Sequence, residues 1–140
     1  MSRFDYLEPL RNIRLFHGCS DKELEQVARL SDEVDIAEGH RIVEQGDSAR
    51  EAFVILEGTA TVVLDNRAIA ELSVGDHFGE LALLDGGTRT ANVDAATPMR
   101  LLVIHRPAFM GLLDEQPGIA RKIMATLAGI IRDLEHPPGG

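Results

Sequence analysis

Between residues 31 and 104 the chain never sustains a helical apolar period; glycines at 39, 46, 58 and 75 cut it into short extended runs instead. These runs cover residues 34–37, 41–44, 52–56, 59–64, 69–72, 90–95 and 100–104. Short strands between turn signals predict an antiparallel barrel or a double-sheet jelly roll, because both limit exposed sheet edges. Gln45-Gly46-Asp47 and Glu57-Gly58 read as tight turns in which glycine supplies the positive φ.

Helical patterns flank this region. Leu7, Leu10, Ile13 and Phe16 recur at helical spacing, predicting a short amphipathic helix over 4–16 that ends near His17-Gly18. Ser20-Asp21-Lys22-Glu23 then has the S-x-x-E capping-box pattern, with Cys19 and Leu24 placed as a hydrophobic staple and Leu24, Val27, Ala28 and Leu30 as a buried stripe. After the strands, Pro107 fits the first turn of a helix continuing over 108–113, and Pro117 ends that helix and begins another. In the last helix Ile119, Ile123, Leu127, Ile130 and Leu134 form a narrow apolar seam, with Arg121, Lys122 and Arg132 off it. The seam packs on the barrel, or serves as a lid or a dimer contact. The expected architecture is α+β and mainly β: an antiparallel jelly-roll barrel with N-terminal helices, an internal short helix and C-terminal helices. One domain is expected over 1–136, with 137–140 as tail or linker.

Charge narrows the function classes. The net charge of −9 with only two lysines argues against direct binding of nucleic acid, whose phosphates require clustered Lys and Arg. No apolar run reaches the roughly 18 residues of a membrane span, and MSRFDYLEPL lacks the shape of a signal peptide, so a cytoplasmic setting is expected. The single Cys19 permits no internal disulfide. His17, His40, His77, His105 and His136 are scattered with no ligand spacing, which speaks against a metal enzyme and a metal cofactor. Neither a phosphate-binding Gly-x-x-x-x-Gly-Lys loop nor a Gly-x-Ser-x-Gly nucleophile elbow is present.

The stretch of residues 75–93, GDHFGELALLDGGTRTANV, carries the chemistry. Leu81, Ala82, Leu83 and Leu84 favour one or two helical turns, and Gly79 before them permits close backbone approach by a ligand. The first amides of such a helix are free to bind an anion. Arg89, beyond the Gly86-Gly87 turn, offers a planar fork that suits two phosphate oxygens. Glu80 would repel a phosphate but accepts hydrogen bonds from a hydroxyl pair such as a sugar presents. Phosphate plus sugar implies a nucleotide. The plainer alternative is that Glu80 only favours the helix dipole and that Arg89 only pairs with Glu80 or Asp85.

Phe78-Gly79-Glu80-Leu81-Ala82-Leu83-Leu84 followed by Arg89-Thr90-Ala91-Asn92-Val93 resembles the phosphate-binding cassette of cyclic nucleotide-binding domains, with the glutamate-to-arginine spacing intact. The likeness extends over nearly the whole chain. It implies a regulatory module, not an enzyme, whose ligand is cAMP or cGMP and which has no further cofactor. By that resemblance Glu80 holds the ribose 2′-hydroxyl and Arg89 the cyclic phosphate. Gly79, Leu81, Ala82, Thr90 and Ala91 add backbone and wall contacts, and Val62 an apolar wall. Thr88 stands where the family usually has proline, and Thr90 where cGMP-responsive relatives often carry threonine, so base preference stays open. The resemblance further implies a base cap from residues between Ile123 and Leu134 and an output relayed through the last helix. Implied partners are a second copy of the chain, or an effector domain or protein touching that helix. The alternative is a scaffold or dimerisation module that keeps the fold without binding.

Overall fold

The computed structural model describes residues 6–135; the start of the first expected helix at Phe4 and the expected tail at 137–140 lie outside them. The first expected helix proves to be two pieces. Helix α1 (Leu7–Arg11) stops, Ile13 turns extended with ψ 117°, and a 3-10 turn spans Arg14–Phe16. Across the break Leu10, Ile13 and Phe16 all stay buried. Helix α2 (Asp21–Arg29) starts with the expected capping box: Glu23 N–H donates to Ser20 Oγ at 3.2 Å, and Ser20 N–H to Glu23 Oε1 at 2.8 Å. Cys19, ahead of the cap, packs against the core that contains Leu24. Burial pushes the Cys19 thiol pKa up, and the Glu23 carboxylate pushes it further, against the pull of Lys122. A raised pKa suits packing and not a reactive thiolate.

Eight strands follow: β1 (Asp32–Ile36), β2 (Arg41–Val43), β3 (Glu51–Glu57), β4 (Ala60–Leu64), β5 (Arg67–Leu72), β6 (His77–Phe78), β7 (Asn92–Ala95) and β8 (Met99–His105). They form two antiparallel four-stranded sheets, β1-β8-β3-β6 and β2-β7-β4-β5. The jelly-roll expectation holds, and the closed barrel gives way to two separate sheets. Strand β6 is too short to show a period in the sequence. The β4–β5 connection is a two-residue hairpin in which Asp65 and Asn66 take φ of +50° and +65°, the left-handed pair that matches strand twist.

Strands β3 and β8 hold the molecule together because both of their faces are buried. Phe53 and Ile55 of β3, with Leu101 and Val103 of β8, point between the sheets toward Ala60, Val93 and Ala95. Their alternates Ala52, Val54, Leu102 and Ile104 face the helices, meeting Leu10, Phe16, Phe109 and Ile119. That two-sided burial explains the unbroken apolar runs of these two strands. Helix α4 (Arg106–Glu115) begins with Pro107 in its first turn, and α5 (Pro117–Glu135) begins with Pro117.

Only half of the seam on α5 is seated. Ile119 and Ile123 are buried and Leu127 packs against the helical core, whereas Leu134 is 77% exposed. Helix α5 lies against the 3-10 turn and α4, and Lys122 Nζ donates to Glu23 Oε1 at 2.6 Å.

Gly58 has the tightest site among the described glycines: at φ +91°, a Cβ would fall 2.4 Å from the backbone oxygen of Pro98. Gly58→Ala is expected to lower stability by at least about 2 kcal/mol, from left-handed strain plus that clash. Urea unfolding measures it, and an unshifted midpoint would show that the β3–β4 turn can move.

Candidate functional site

The site is built on β6, the short helix α3 (Ala82–Asp85) and the loop leading to β7, all braced against the start of β3. The loop is pinned by the turn after β2. Arg89 N–H donates to Asp47 O at 2.8 Å, Gly46 N–H to Arg89 O at 2.9 Å, and Ala49 N–H to Gly87 O at 2.7 Å. These bonds flank Thr88, which bridges Ser48, and use none of its own polar backbone atoms. The backbone around Arg89 is therefore fixed without a proline at 88.

The Arg89 side chain is 7% exposed. Its Nη2 donates to Glu51 O at 3.0 Å and stands 3.5 Å from Glu51 Oε1. The guanidinium carbon lies 5.6 Å from the centroid of the Phe53 ring, which itself stacks on Phe78 at 4.8 Å. Burial draws the Arg89 pKa down and Glu51 draws it up, yet a guanidinium stays charged throughout the working range. Neither Glu80 nor Asp85 pairs with Arg89; among the described residues its carboxylate partner is Glu51. No acceptor among the described residues takes Nε or Nη1, which leaves those donors for a ligand.

Gly79 makes this seat possible. At φ +80°, a Cβ there would sit 2.5 Å from Arg89 Nη1 and 2.9 Å from Glu51 O. The close approach expected of a ligand at Gly79 is thus made by the arginine itself. The Glu80 side chain is 31% exposed, with Oε1 3.7 Å from His77 Nε2.

Helix α3 is a single turn, within the one or two expected, but its first amides are not free. Ala82 N–H donates to Gly79 O at 3.1 Å and Leu83 N–H to Glu80 O at 3.2 Å, closing 3-10-type turns. The amides of Glu80 and Leu81, directly before the helix, have no carbonyl partner among the described residues. At the far end Gly86 is a left-handed cap at φ +61°.

All eight residues singled out from the sequence, Val62, Gly79, Glu80, Leu81, Ala82, Arg89, Thr90 and Ala91, line one cavity of about 380 Å³. That volume falls in the small-ligand range of roughly 300–1,000 Å³. Val43, Val62 and Val93 line the cavity with apolar surface, and Glu80, Thr88, Arg89 and Thr90 with polar groups. Val62 also packs on the core between the sheets, so its wall and core roles coincide. The base cap expected from residues 123–134 does not lie here: none of them lines the cavity. Glu51 and Phe53, which seat Arg89, escaped the sequence reading because they lie 38 and 36 residues away in the chain with no motif to mark them. Among the described residues no cluster of three or more His, Cys, Asp or Glu is placed to hold a metal, and no helix is long and apolar enough to cross a membrane.

Gly79→Ala is expected to cost about 1–3 kcal/mol, because it strains the backbone and unseats a buried cation. Chemical denaturation tests this, and an unchanged midpoint would mean that Arg89 has another resting place.

Comparison with known proteins agrees with this geometry. Residues 33–116 match the model of the cyclic nucleotide-binding domain family. The chain is 33% identical to a cAMP-dependent protein kinase regulatory subunit of Mycosarcoma maydis, over 84% of this chain and 24% of that one. It is 32% identical to a cyclic nucleotide-gated potassium channel of Rhizobium etli, over 81% and 32%. It is 28% identical to the cyclic AMP receptor protein of Thermus thermophilus, over 86% and 58%. The chain therefore spans between about a quarter and three fifths of the length of these relatives. Among solved structures, the N-terminal domain of a transcriptional regulator from Streptomyces coelicolor superposes with TM-score 0.85 at 26% identity, covering 94% of this chain and 98% of that one. A cyclic nucleotide-binding-like protein from Brucella abortus superposes with TM-score 0.73 at 25% identity, covering 79% and 98%.

Proposed function

Because the chain belongs to the cyclic nucleotide-binding domain family, we propose that it is a sensor module that binds cAMP or cGMP in the cavity between α3 and β7. The observation that carries this reading is the seat of Arg89: a buried guanidinium with Nε and Nη1 left unpaired at the wall of a cavity it shares with Glu80. Glu51 already balances its charge, and Nε and Nη1 are not among the buried atoms left without a partner, so they open on the cavity where an anion can take them. In the proposed complex the guanidinium takes the cyclic phosphate, and the unpartnered amides of Glu80 and Leu81 stand on the same wall. The Glu80 carboxylate accepts from the ribose 2′-hydroxyl. Val43, Val62 and Val93 cover the apolar face of the sugar and base.

Thr90 is exposed and lines the cavity; in the proposed complex its hydroxyl suits the exocyclic amino group of guanine without excluding adenine. The chain is read as one such module, acting by ligand-biased repositioning of α3 relative to α4 and α5. Its output, through a second copy or an effector domain or protein, is carried by the C-terminal helices.

Calorimetric titration with cAMP and with cGMP tests the reading. Saturable binding of either nucleotide is expected, and Arg89→Ala should weaken it by about 1.5–3 kcal/mol, roughly 10- to 150-fold. No heat and no thermal shift at millimolar nucleotide would leave a scaffold that keeps the fold. An unchanged affinity in Arg89→Ala would put the phosphate elsewhere.

A further inference from the structure

Arg106 is the first residue of α4, an unfavourable place for a cation on its own helix, where the amide end of the dipole is positive. Its side chain turns away to a different helix. Arg106 Nη2 donates to the carbonyl of Leu84 in the last turn of α3 at 2.9 Å, and the guanidinium lies along Gly86, the left-handed cap. A carbonyl end of a helix is where a cation belongs. The reach leaves a defect: Arg106 Nε is buried and has no acceptor.

The backbone of Arg106 closes a circuit. Its N–H donates to Arg50 O at 2.8 Å, and the next carbonyl along, Glu51 O, is the one that receives Arg89 Nη2 at 3.0 Å. Neighbouring carbonyls at the start of β3 thus hold the arginine in the cavity wall and the arginine that opens α4. From Leu84 the chain runs through Gly86 and Gly87 back to Arg89. Displacing either Arg89 or α3 therefore loads the Arg106 contact, and through it the first turn of α4.

We propose that Arg106 is a positioning residue that ties the C-terminal end of α3 to α4, and that this tie carries the occupancy of the cavity to α5. Its tie to α3 stands without any ligand; its coupling role rests on the nucleotide reading above. Apolar packing offers a competing route, since Leu83 shares a core with Phe109 and Ile119. The two routes predict different behaviour when the guanidinium is removed.

Amide hydrogen exchange on the full chain, with and without saturating cAMP or cGMP, separates them in wild type, Arg106→Ala and Arg106→Lys. Without nucleotide, the amides of Asp85 and Gly86 should exchange at least ten-fold faster in Arg106→Ala than in wild type. Arg106→Lys, which keeps a cationic donor for the Leu84 carbonyl, should recover part of that protection and stands in if the alanine variant fails to fold. With nucleotide, the ligand-dependent change in α5 exchange seen in wild type should be lost in Arg106→Ala even where the cavity is saturated. A side chain that merely stabilised the fold would lower the melting temperature and leave that change intact. Unaltered exchange at Asp85 and Gly86, or an α5 response equal to wild type in the alanine variant, overturns the proposal. If wild type itself binds neither nucleotide, the functional reading fails, while the tie to α3 is still decided by the nucleotide-free exchange.

Discussion

A largely buried guanidinium in a cavity wall, that of Arg89, is the constraint around which the site is arranged. Removing a charge from solvent costs several kcal/mol unless hydrogen bonds and counter-charge replace the lost hydration. For Arg89 the replacement comes from one strand end: the carbonyl of Glu51, the carboxylate of Glu51 and, one residue on, the face of Phe53. Side chains at 51 and 53 share a face of β3 because strand periodicity is two. The seat also needs a residue with no side chain opposite it, and Gly79 supplies that. Each of these is a condition on the frame, so the site is not separable from the fold that holds it.

The frame puts the site on the seam between two cores. Strands β3 and β8 bury one face between the sheets and the other against the helices. Arg89 rests on the sheet side, over Phe53, whereas α3 inserts Leu83, fully buried, into the helical side. Close-packed cores do not deform smoothly, so an element shared by two of them shifts as a unit. That is the physical basis for reading a small change at the cavity as a movement of helices.

Much of this was legible in the chain. Glycine spacing marked strand-length runs and the jelly roll, Ser20 and Glu23 marked a helix start that the structure reproduces bond for bond, and Pro107 and Pro117 marked two more. The eight candidate residues of the cavity followed from local chemistry and from resemblance, and they do converge on one wall set. What was not legible depends on distance along the chain or on competition for the same atoms. Glu51 replaces Glu80 or Asp85 as the partner of Arg89 because β3 passes beside it, a pairing that no local pattern encodes. The leading amides of α3 are spent on 3-10 turns because so short a helix begins inside a turn. The extended break at Ile13 leaves Leu10, Ile13 and Phe16 all buried, so the apolar periodicity reads straight through it. Helix α5 has the seam of a cap, but its first turns find a core beside α4 and the 3-10 turn and not over the cavity.

The central claim is that Arg89 is held by Glu51 and Phe53 with Nε and Nη1 turned to the cavity, where an anion binds them. The most direct measurement is nuclear magnetic resonance of the Arg89 guanidinium, followed through its Nε–H signal together with the backbone amides of Glu80 and Leu81, as cAMP or cGMP is added. The account predicts that all three signals move together and saturate on one binding curve, the Nε–H becoming protected from solvent exchange. An Arg89 signal that stays in place while the protein binds nucleotide elsewhere, or that never responds at millimolar nucleotide, would contradict it.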